Sequence, residues 1–295
     1  MEEKRWKEVR VIIRELASMK STREDFGDGD IAEVYYWSVV HDRPQGWATF
    51  RENWPIHLRR GRKLPSQGTL SRRLRTKRIL ALLSRIEAKV FNATSGSPSP
   101  LVHYVDGKPL VISKISKDRQ SGYGYGAGGM CKGYKIHVLL GSNRSIVSWR
   151  LTPMSTSEKT MARRMVRIVQ PQGYVVGDGN YDDRNFHDQC EAQGELQLIA
   201  PRFKPGAGLG HRRKSQSRLR SIHLLETSRS GFGRNLMKGR NAIERWFAWL
   251  VTPGGGLVTL PPWVRTYRRV HRWVSAKLVI ATLRNPPKTT TYATI

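Results

Sequence analysis

The spacing of apolar residues changes near residue 100, and this change limits the possible folds more than any other feature of the chain. Residues 1–91 carry apolar residues at helical spacing, whereas the segments after residue 100 show the two-residue period of strands. Residues 92–100, NATSGSPSP, contain no charged side chain and have the composition of a linker. The sequence therefore predicts a mainly helical domain (1–91), a linker (92–100) and a second domain (101–295).

The second domain combines strands and helices in an order typical of an α/β fold. Three strand-like segments come first: VHYVDGKPLVI (102–112), GYKIHVLL (133–140) and SIVSWRLTP (145–153). Helical and strand-like segments then alternate: SEKTMARRMVRIV (157–169), GYVVGDGNYDD (173–183), DRNFHDQCEAQG (183–194), LQLIAPR (196–202) and RNAIERWFAWLV (240–251). A basic loop (203–235) and a C-terminal basic helix (262–284) complete the prediction. This order predicts a sheet with helices packed on it.

The chain is strongly basic, with 52 Lys and Arg against 23 Asp and Glu and a formal net charge of +29. Such an excess of one charge destabilises a compact chain unless a polyanion neutralises it. We expect that polyanion to be nucleic acid, because clustered Lys and Arg side chains that contact its phosphates release counterions, and this release favours binding. A membrane partner is not expected, since no lipidation motif, basic amphipathic helix or long apolar run stands out.

The compartment follows from the N-terminus and the cysteines. MEEKRWKEVR lacks the apolar core of a secretory signal, and Cys131 and Cys190 lack the spacing of zinc ligands. We therefore expect a cytoplasmic, nucleoid-associated protein with two free thiols.

The basic residues of the N-terminal domain are concentrated at 59–89, where eleven Lys and Arg accompany one acid. Within this range, PSQGTLSRRLR resembles a helix-turn-helix recognition helix with Ser66 as its predicted N-cap. Arg72, Arg73 and Arg75 are the candidate DNA-binding residues of this helix. A solvated basic helix face is the alternative interpretation.

Three acidic residues stand out by their positions. Asp106 interrupts a strand-like segment, where Asp is unfavourable. Asp178 follows the apolar segment YVV, at the strand end from which ligand-binding side chains of α/β folds emerge. Glu244 lies beside Ile243, at the border of the apolar face of a predicted helix. Three carboxylates on two strands and a helix suit hard divalent cations, which prefer oxygen ligands.

Each acid also has a structural interpretation. Asp106 and Asp178 both precede glycine and fit turns. Glu244 fits a salt bridge with Arg240 or Lys238 on its own helix. Taken together in so basic a chain, the three acids favour metal-dependent chemistry on a phosphodiester.

Two other features are interpreted as structural. GYGAGG (124–129) matches the GxGxxG pattern, but a strand-like segment follows it instead of a helix, so we expect a flexible hairpin loop. Trp246 and Trp249 have the character of residues that stack on a nucleic-acid base, but such residues more often belong to a core.

In this order, the acidic motifs resemble those of insertion-sequence transposases of the DDE superfamily. VDGKPL resembles the strand of the first catalytic aspartate, VVGDGNYDD the second-aspartate motif and RNAIERWFAWL the helix of the catalytic glutamate. The resemblance covers about residues 100–283 and implies a ribonuclease H-like mixed sheet flanked by helices. It also implies that Asp106, Asp178 and Glu244 are catalytic and bind two Mg²⁺ ions, for which Mn²⁺ can substitute.

The chain departs from this resemblance near the third acid. Arg240 and Glu244 match a Tyr, Arg, Glu, Lys signature, which implies that Arg240 binds a phosphate near the scissile bond. Met237 and Val251 occupy the Tyr and Lys positions of that signature, so the resemblance implies no contact for these two side chains.

The second motif also differs from the usual pattern. Asn180 stands ahead of Tyr181 in GNYDD. Asp182 and Asp183 are therefore alternatives to Asp178 as the second catalytic acid.

Charge and resemblance together predict a DNA transposase that binds the ends of its element, cleaves phosphodiester bonds and joins the freed 3′-hydroxyl to target DNA. The helical N-terminal domain would bind double-stranded DNA. Further backbone contacts are expected from the loop 203–220 and from the C-terminal helix, through Arg265, Arg268, Arg269 and Arg272. Because two ends are joined, we expect a homodimer on DNA. The alternatives are a ribonuclease H-like nuclease without strand transfer and a catalytically inactive basic DNA-binding protein.

Overall fold

Residues 2–18, 24–92, 100–126, 128–202, 215–254 and 256–287 are described by a computed structural model. The chain divides into two compact units. The first comprises Met1–Ala93, Leu250–Leu257 and Trp263–Pro286, and the second comprises Thr94–Trp249, Val258–Pro262 and Pro287–Ile295. The C-terminal helix thus groups with the N-terminal helices, whereas the predicted boundaries assigned it to the second domain. The domain boundaries themselves stay a prediction.

The described residues of the N-terminal part of the first unit form five α-helices: α1 (Glu2–Leu16), α2 (Asp28–Val40), α3 (Ile56–Arg59), α4 (Gln67–Arg73) and α5 (Lys77–Phe91). Ser66 accepts a hydrogen bond from the backbone N–H of Thr69 at 3.1 Å and is the N-cap of α4, as predicted. Asp30 accepts a hydrogen bond from the backbone N–H of Gly27 at 3.0 Å at the start of α2. The predicted helical character of the N-terminal region is confirmed.

A buried carboxylate holds several segments of the first unit together. Glu33 of α2 has no exposed surface and accepts hydrogen bonds from Arg10 at 3.3 Å, from Arg62 at 2.9 Å and from Arg14. Arg62 also lies over the Trp6 ring, at 5.3 Å from its centroid. A buried charge is tolerated only when it is paired and hydrogen-bonded, so Glu33 fixes the arginines around α2.

The second unit contains a six-stranded mixed sheet: β1 (Val102–Ile112), β2 (Gly122–Gly126), β3 (Gly129–Gly141), β4 (Ile146–Pro153), β5 (Gly173–Val176) and β6 (Leu196–Ile199). Strand β3 pairs antiparallel with β1, β2 and β4, whereas β1–β5 and β5–β6 are parallel pairs. The strand order is β2-β3-β1-β5-β6, with β4 also on β3. The sheet and its helices confirm the predicted ribonuclease H-like α/β fold.

The glycine-rich segment 124–129 belongs to a β-hairpin. Gly124 and Gly126 lie in β2, and Gly129 begins β3, with which β2 pairs. The segment thus belongs to a hairpin, but its residues 124–126 lie in a strand and not in the predicted loop. Residue 127 lies outside the described residues. The strand β2 itself was not predicted, because its alternating glycines give no apolar periodicity.

In the part of the second unit that the structure describes, five α-helices accompany the sheet: α6 (Glu158–Val169), α7 (Arg184–Ala192), α8 (Gln216–Ile222), α9 (Phe232–Gly239) and α10 (Asn241–Trp249). The prediction of a loop over 203–235 is wrong for its described part, which contains α8 and the start of α9. The buried residues of α8 are Ser217, Arg218 and Ser221, so the helix lacks the apolar stripe by which helices are predicted. Residues 203–214 lie outside the described residues.

The two faces of the sheet carry different helices. Val105 of β1 belongs to a core with Met165 of α6 and Phe186 of α7. The neighbouring Tyr104 points to the opposite face, because side chains alternate along a strand. A Cβ atom at Gly239 would lie 2.3 Å from the Tyr104 hydroxyl, so the end of α9 packs closely on this second face.

Helix α10 is anchored by its apolar side. Ile243, Trp246 and Phe247 are buried, and the rings of Trp246 and Phe247 lie 5.4 Å apart between centroids. The core interpretation is confirmed for Trp246, whereas Trp249 is half-buried.

The last helix, α11 (Tyr267–Arg284), belongs to the first unit and lies within the predicted range 262–284. Its residues Val270, Trp273 and Val274 are buried. Arg272 donates a hydrogen bond to the backbone oxygen of Leu74 at 2.7 Å and so joins α11 to the end of α4. In the described parts of the chain, we find no helix with the length and apolar character needed to cross a membrane.

We predict that Glu33→Gln lowers the free energy of unfolding by about 2 kcal/mol, because the arginines around Glu33 lose their counter-charge. The loss stays below that of a fully buried pair, since the side chains of Arg10 and Arg14 are 40% and 52% exposed. Urea unfolding measures the difference. Glu52→Gln is the matched control on an exposed side chain, with an expected change within about 0.5 kcal/mol. Equal stability of the two variants would contradict the role of Glu33.

Candidate active site

The register between β1 and β5 brings two of the predicted acids to the same level of the sheet. Residues 102, 103 and 104 pair with 174, 175 and 176, a constant offset of 72 residues. Asp106 and Asp178 are also 72 residues apart, and each lies two residues beyond the last pair. The two side chains therefore emerge from neighbouring parallel strands at equivalent positions and on the same face as Tyr104.

Asp106 lies in a mostly desolvated environment. Its Oδ1 accepts a hydrogen bond from the backbone N–H of Gly107 at 2.7 Å. Burial, with the negative charges of Asp178 and Glu158, raises the pKa of Asp106 from 3.8 to about 6, against the lowering effects of this hydrogen bond and of Arg240. A cation beside Asp106 would stabilise the charged form of this carboxyl group, which burial and the neighbouring acids disfavour.

Asp178 begins a tight 3₁₀ turn, Gly179–Tyr181, after β5. Its Oδ1 accepts a hydrogen bond from the backbone N–H of Asn180 at 2.9 Å. A Cβ atom at Gly177 would lie 2.7 Å from the ring of Tyr181, so only glycine permits this ring to fold back under the strand end. The turn therefore fixes the direction of Asp178 by packing and by hydrogen bonding.

Glu244 is paired with an arginine one helical turn earlier. The Arg240 guanidinium lies 2.5 Å from Glu244 Oε1, and the Glu244 side chain is 52% exposed. The positive charge of Arg240 also lowers the pKa of Asp106, so Arg240 acts on both acids. The structure therefore contains the salt bridge of the structural interpretation, and the partner of Glu244 is Arg240, not Lys238.

Two further charged residues adjoin the acids. Glu158 lies at the start of α6, and its Oε1 is 3.1 Å from the position that a Cβ atom would take at Gly107. It accepts a hydrogen bond from Lys135 Nζ at 2.7 Å. Sequence reasoning missed both residues. Lys135 was the signal in the sequence for this pair. It is a charged residue within the apolar segment GYKIHVLL, and a buried charge needs a partner of opposite charge.

The alternatives to Asp178 have structural partners. Asp182 is 2% exposed and binds the Arg218 guanidinium through both carboxylate oxygens, at 2.7 and 2.9 Å. Asp183 accepts a hydrogen bond from the backbone N–H of Phe186 at 3.2 Å and is the N-cap of α7. Asp178 is therefore the acid of this motif that remains beside Asp106.

A divalent metal would meet carboxylate oxygens at this site. Within the described ranges, no three His, Cys, Asp or Glu side chains lie close enough together to hold one metal ion. Asp106 and Asp178 supply two, and the third candidate, Glu244, is turned to Arg240. The oxygen-only donors fit a hard cation, which would relieve the repulsion between the two aspartates.

The candidate DNA-binding arginines of the first unit differ in their surroundings. Arg72 and Arg75 are exposed, and Arg75 donates a hydrogen bond to Ser71 Oγ at 3.0 Å. Arg73 instead donates to Asp28 Oδ1 at 2.7 Å and to the backbone oxygen of Phe26 at 3.1 Å. Its guanidinium stabilises the start of α2.

Paired acids at adjacent strand ends of a ribonuclease H-like sheet define a class of proteins that process nucleic acids. The profile of the Transposase DDE domain family matches residues 97–257, which is more than half of the chain. The chain therefore belongs to the DDE transposase family, whose members act on DNA in transposition and generally use a divalent metal. No curated protein matches it.

We predict that Asp106→Asn is more stable than the unsubstituted chain at pH 7 in EDTA, by about 2 kcal/mol. The folded state binds the Asp106 proton more tightly than the unfolded state, because the pKa rises from 3.8 to about 6. The stability that the protonated Asp106 carboxyl group contributes is therefore lost as the pH rises from 3.8 to about 6. Urea unfolding at several pH values measures the effect, and the difference should vanish below the ordinary pKa. A difference that did not change with pH would contradict it.

Proposed function

We propose that this chain is a DNA transposase that binds the ends of its element, cleaves phosphodiester bonds there and joins the freed 3′-hydroxyl to target DNA. The observation that carries the proposal is the β1–β5 register, which brings Asp106 and Asp178 together in a chain of the DDE family with a net charge of +29. Catalysis by Asp106, Asp178 and Glu244 is part of the same proposal.

Asp106 and Asp178 would hold the first divalent cation, and Glu244 would contribute once it leaves Arg240. The proposed ions are two Mg²⁺, with Mn²⁺ as a substitute. When bound, such cations supply an activated water or 3′-hydroxyl and stabilise the leaving oxygen. The chain itself orients the two aspartates through the Gly107 and Asn180 N–H groups, which hold one oxygen of each carboxylate.

Arg240 would change partners when DNA binds. Its guanidinium now neutralises Glu244 at 2.5 Å. A phosphate of the DNA offers the same guanidinium a stronger, bidentate partner, and the exchange would release Glu244 toward the aspartates. DNA binding and the movement of Glu244 toward the two aspartates would then occur together.

The DNA surface would include the exposed Arg72 and Arg75 of the first unit. Arg73 takes part only if it leaves Asp28. The loop 203–220 and helix α11 would add backbone contacts, although residues 203–214 of that loop lie outside the described residues. Double-stranded DNA is the proposed partner, and a homodimer is proposed because two ends are joined.

A nuclease of the same fold that cuts without rejoining is the second candidate within catalysis. A labelled oligonucleotide with a free 3′-hydroxyl, offered together with target DNA, distinguishes the two. Joined product of higher mass supports strand transfer. Cleaved target without joined product would leave only the nuclease.

We predict that Glu244→Gln reduces Mg²⁺-dependent cleavage of a linear DNA carrying the element ends by at least about 100-fold, because a ligand charge is lost. Gel analysis of the products with Mg²⁺ and with EDTA measures the effect. Glu226→Gln is the matched control, since Glu226 is likewise an exposed glutamate paired with an arginine, Arg202. If Glu244→Gln cut as well as this control, the triad assignment would be wrong.

We predict that Arg240→Gln has opposite effects on metal binding and on cleavage. Without DNA, Mg²⁺ affinity should rise about two- to fivefold, because a competing positive charge leaves Asp106 and Glu244. Cleavage should fall, because the phosphate contact is lost. Isothermal titration calorimetry and the cleavage assay measure the two effects, with Arg245→Gln, at an exposed position of α10, as the control. A fall in both quantities would contradict the exchange.

A further inference from the structure

A groove of about 870 Å³ lies in the first unit. One wall is formed by the end of α4 and by α5 as far as Glu87, and the other by Thr266 and the part of α11 up to Ser275. Its volume is within the range of about 300–1,000 Å³ that is usual for ligand pockets.

Five cations line this groove: Arg75, Lys77, Arg268, Arg269 and Arg272. The first four are exposed, and no described residue forms an ion pair with any of these four. The acid in the lining, Glu87, accepts a hydrogen bond from Ser275 Oγ. Four like charges facing one groove repel each other, so the groove favours an extended anion.

The same groove offers apolar and aromatic surface. Leu80 of α5 is 40% exposed, although it is a large apolar side chain. Tyr267 and His271, one turn apart on α11, also line the groove, with ring centroids 6.0 Å apart. A basic groove with aromatic side chains between the charges is the usual surface for an unpaired nucleic-acid strand.

We propose that this groove binds an unpaired DNA strand. Arg75, Lys77, Arg268 and Arg269 contact successive phosphates, and the Tyr267 ring stacks on a base. An unpaired strand offers bases on which the Tyr267 ring can stack, whereas a double helix keeps its bases stacked and paired inside. The site deepens the proposed function and rests on it for DNA as the ligand. The groove and the acids lie in different units, so a failure of strand binding in EDTA and a failure of cleavage are separate outcomes.

The test uses the full chain in EDTA, so that binding is measured without cleavage. Fluorescence anisotropy with labelled oligodeoxythymidylate gives the affinity as a function of salt. Arg268→Ala combined with Arg269→Ala is expected to weaken binding at least about tenfold and to lower the salt slope by about 1.4, since each lost phosphate contact of a single strand removes about 0.7. Binding of a blunt duplex should weaken clearly less than single-strand binding, because the duplex keeps its contacts with the exposed Arg72.

The matched control is Arg164→Ala combined with Arg167→Ala, which removes the same charge from exposed positions of α6 in the second unit. It should leave the single-strand affinity nearly unchanged at moderate salt. Equal losses in the two double variants, or an equal loss of duplex binding by the groove variant, would overturn the proposal.

Stacking is tested separately from charge. Tyr267→Ala is expected to weaken oligodeoxythymidylate binding about tenfold, and Tyr267→Phe, which keeps the ring, by less than about twofold. Circular dichroism melting shows whether each variant folds. Tight binding by a folded Tyr267→Ala, or an equal loss in the Phe variant, would overturn the stacking contact.

Discussion

The parallel pairing of β1 with β5 is the constraint on which the candidate site depends. It fixes an offset of 72 residues, and the same offset separates Asp106 from Asp178. A shift by one residue would turn one carboxylate to the opposite face of the sheet, because side chains alternate along strands. The close turn at Gly177, where the Tyr181 ring leaves no room for a Cβ atom, then sets the direction of Asp178.

Electrostatic competition decides the state of this site in the free chain. Burial is the main cause of the raised pKa of Asp106, and repulsion by the negative charge of Asp178 raises this pKa further. Arg240 partly offsets this charge and at the same time pairs with Glu244 at 2.5 Å. Arg240 is thus a stabilising counter-charge in the free chain, and in the proposed function the same guanidinium binds a phosphate when DNA is present.

The elements that the sequence predicted well are those with clear apolar periodicity. The strand predicted at 102–112 is β1, and the helix predicted at 157–169 is α6, which begins one residue later. Helix α8 was missed because its buried residues, Ser217, Arg218 and Ser221, are polar. Specific partners stabilise such residues, as Asp182 does in its ion pair with Arg218. Polar burial of this kind has no periodic signature.

The sequence by itself determined the order and type of the main elements, the excess of positive charge and the three candidate acids with their motifs. Periodicity, composition and residue type are local properties, so they can be read along the chain. Only the tertiary structure decided which acid has which partner: Asp182 with Arg218, Glu244 with Arg240, and Arg73 with Asp28. It also added Lys135 and Glu158 beside Asp106 and assembled the basic groove from two distant segments. These choices depend on contacts between residues far apart in sequence, and only folding brings such residues together.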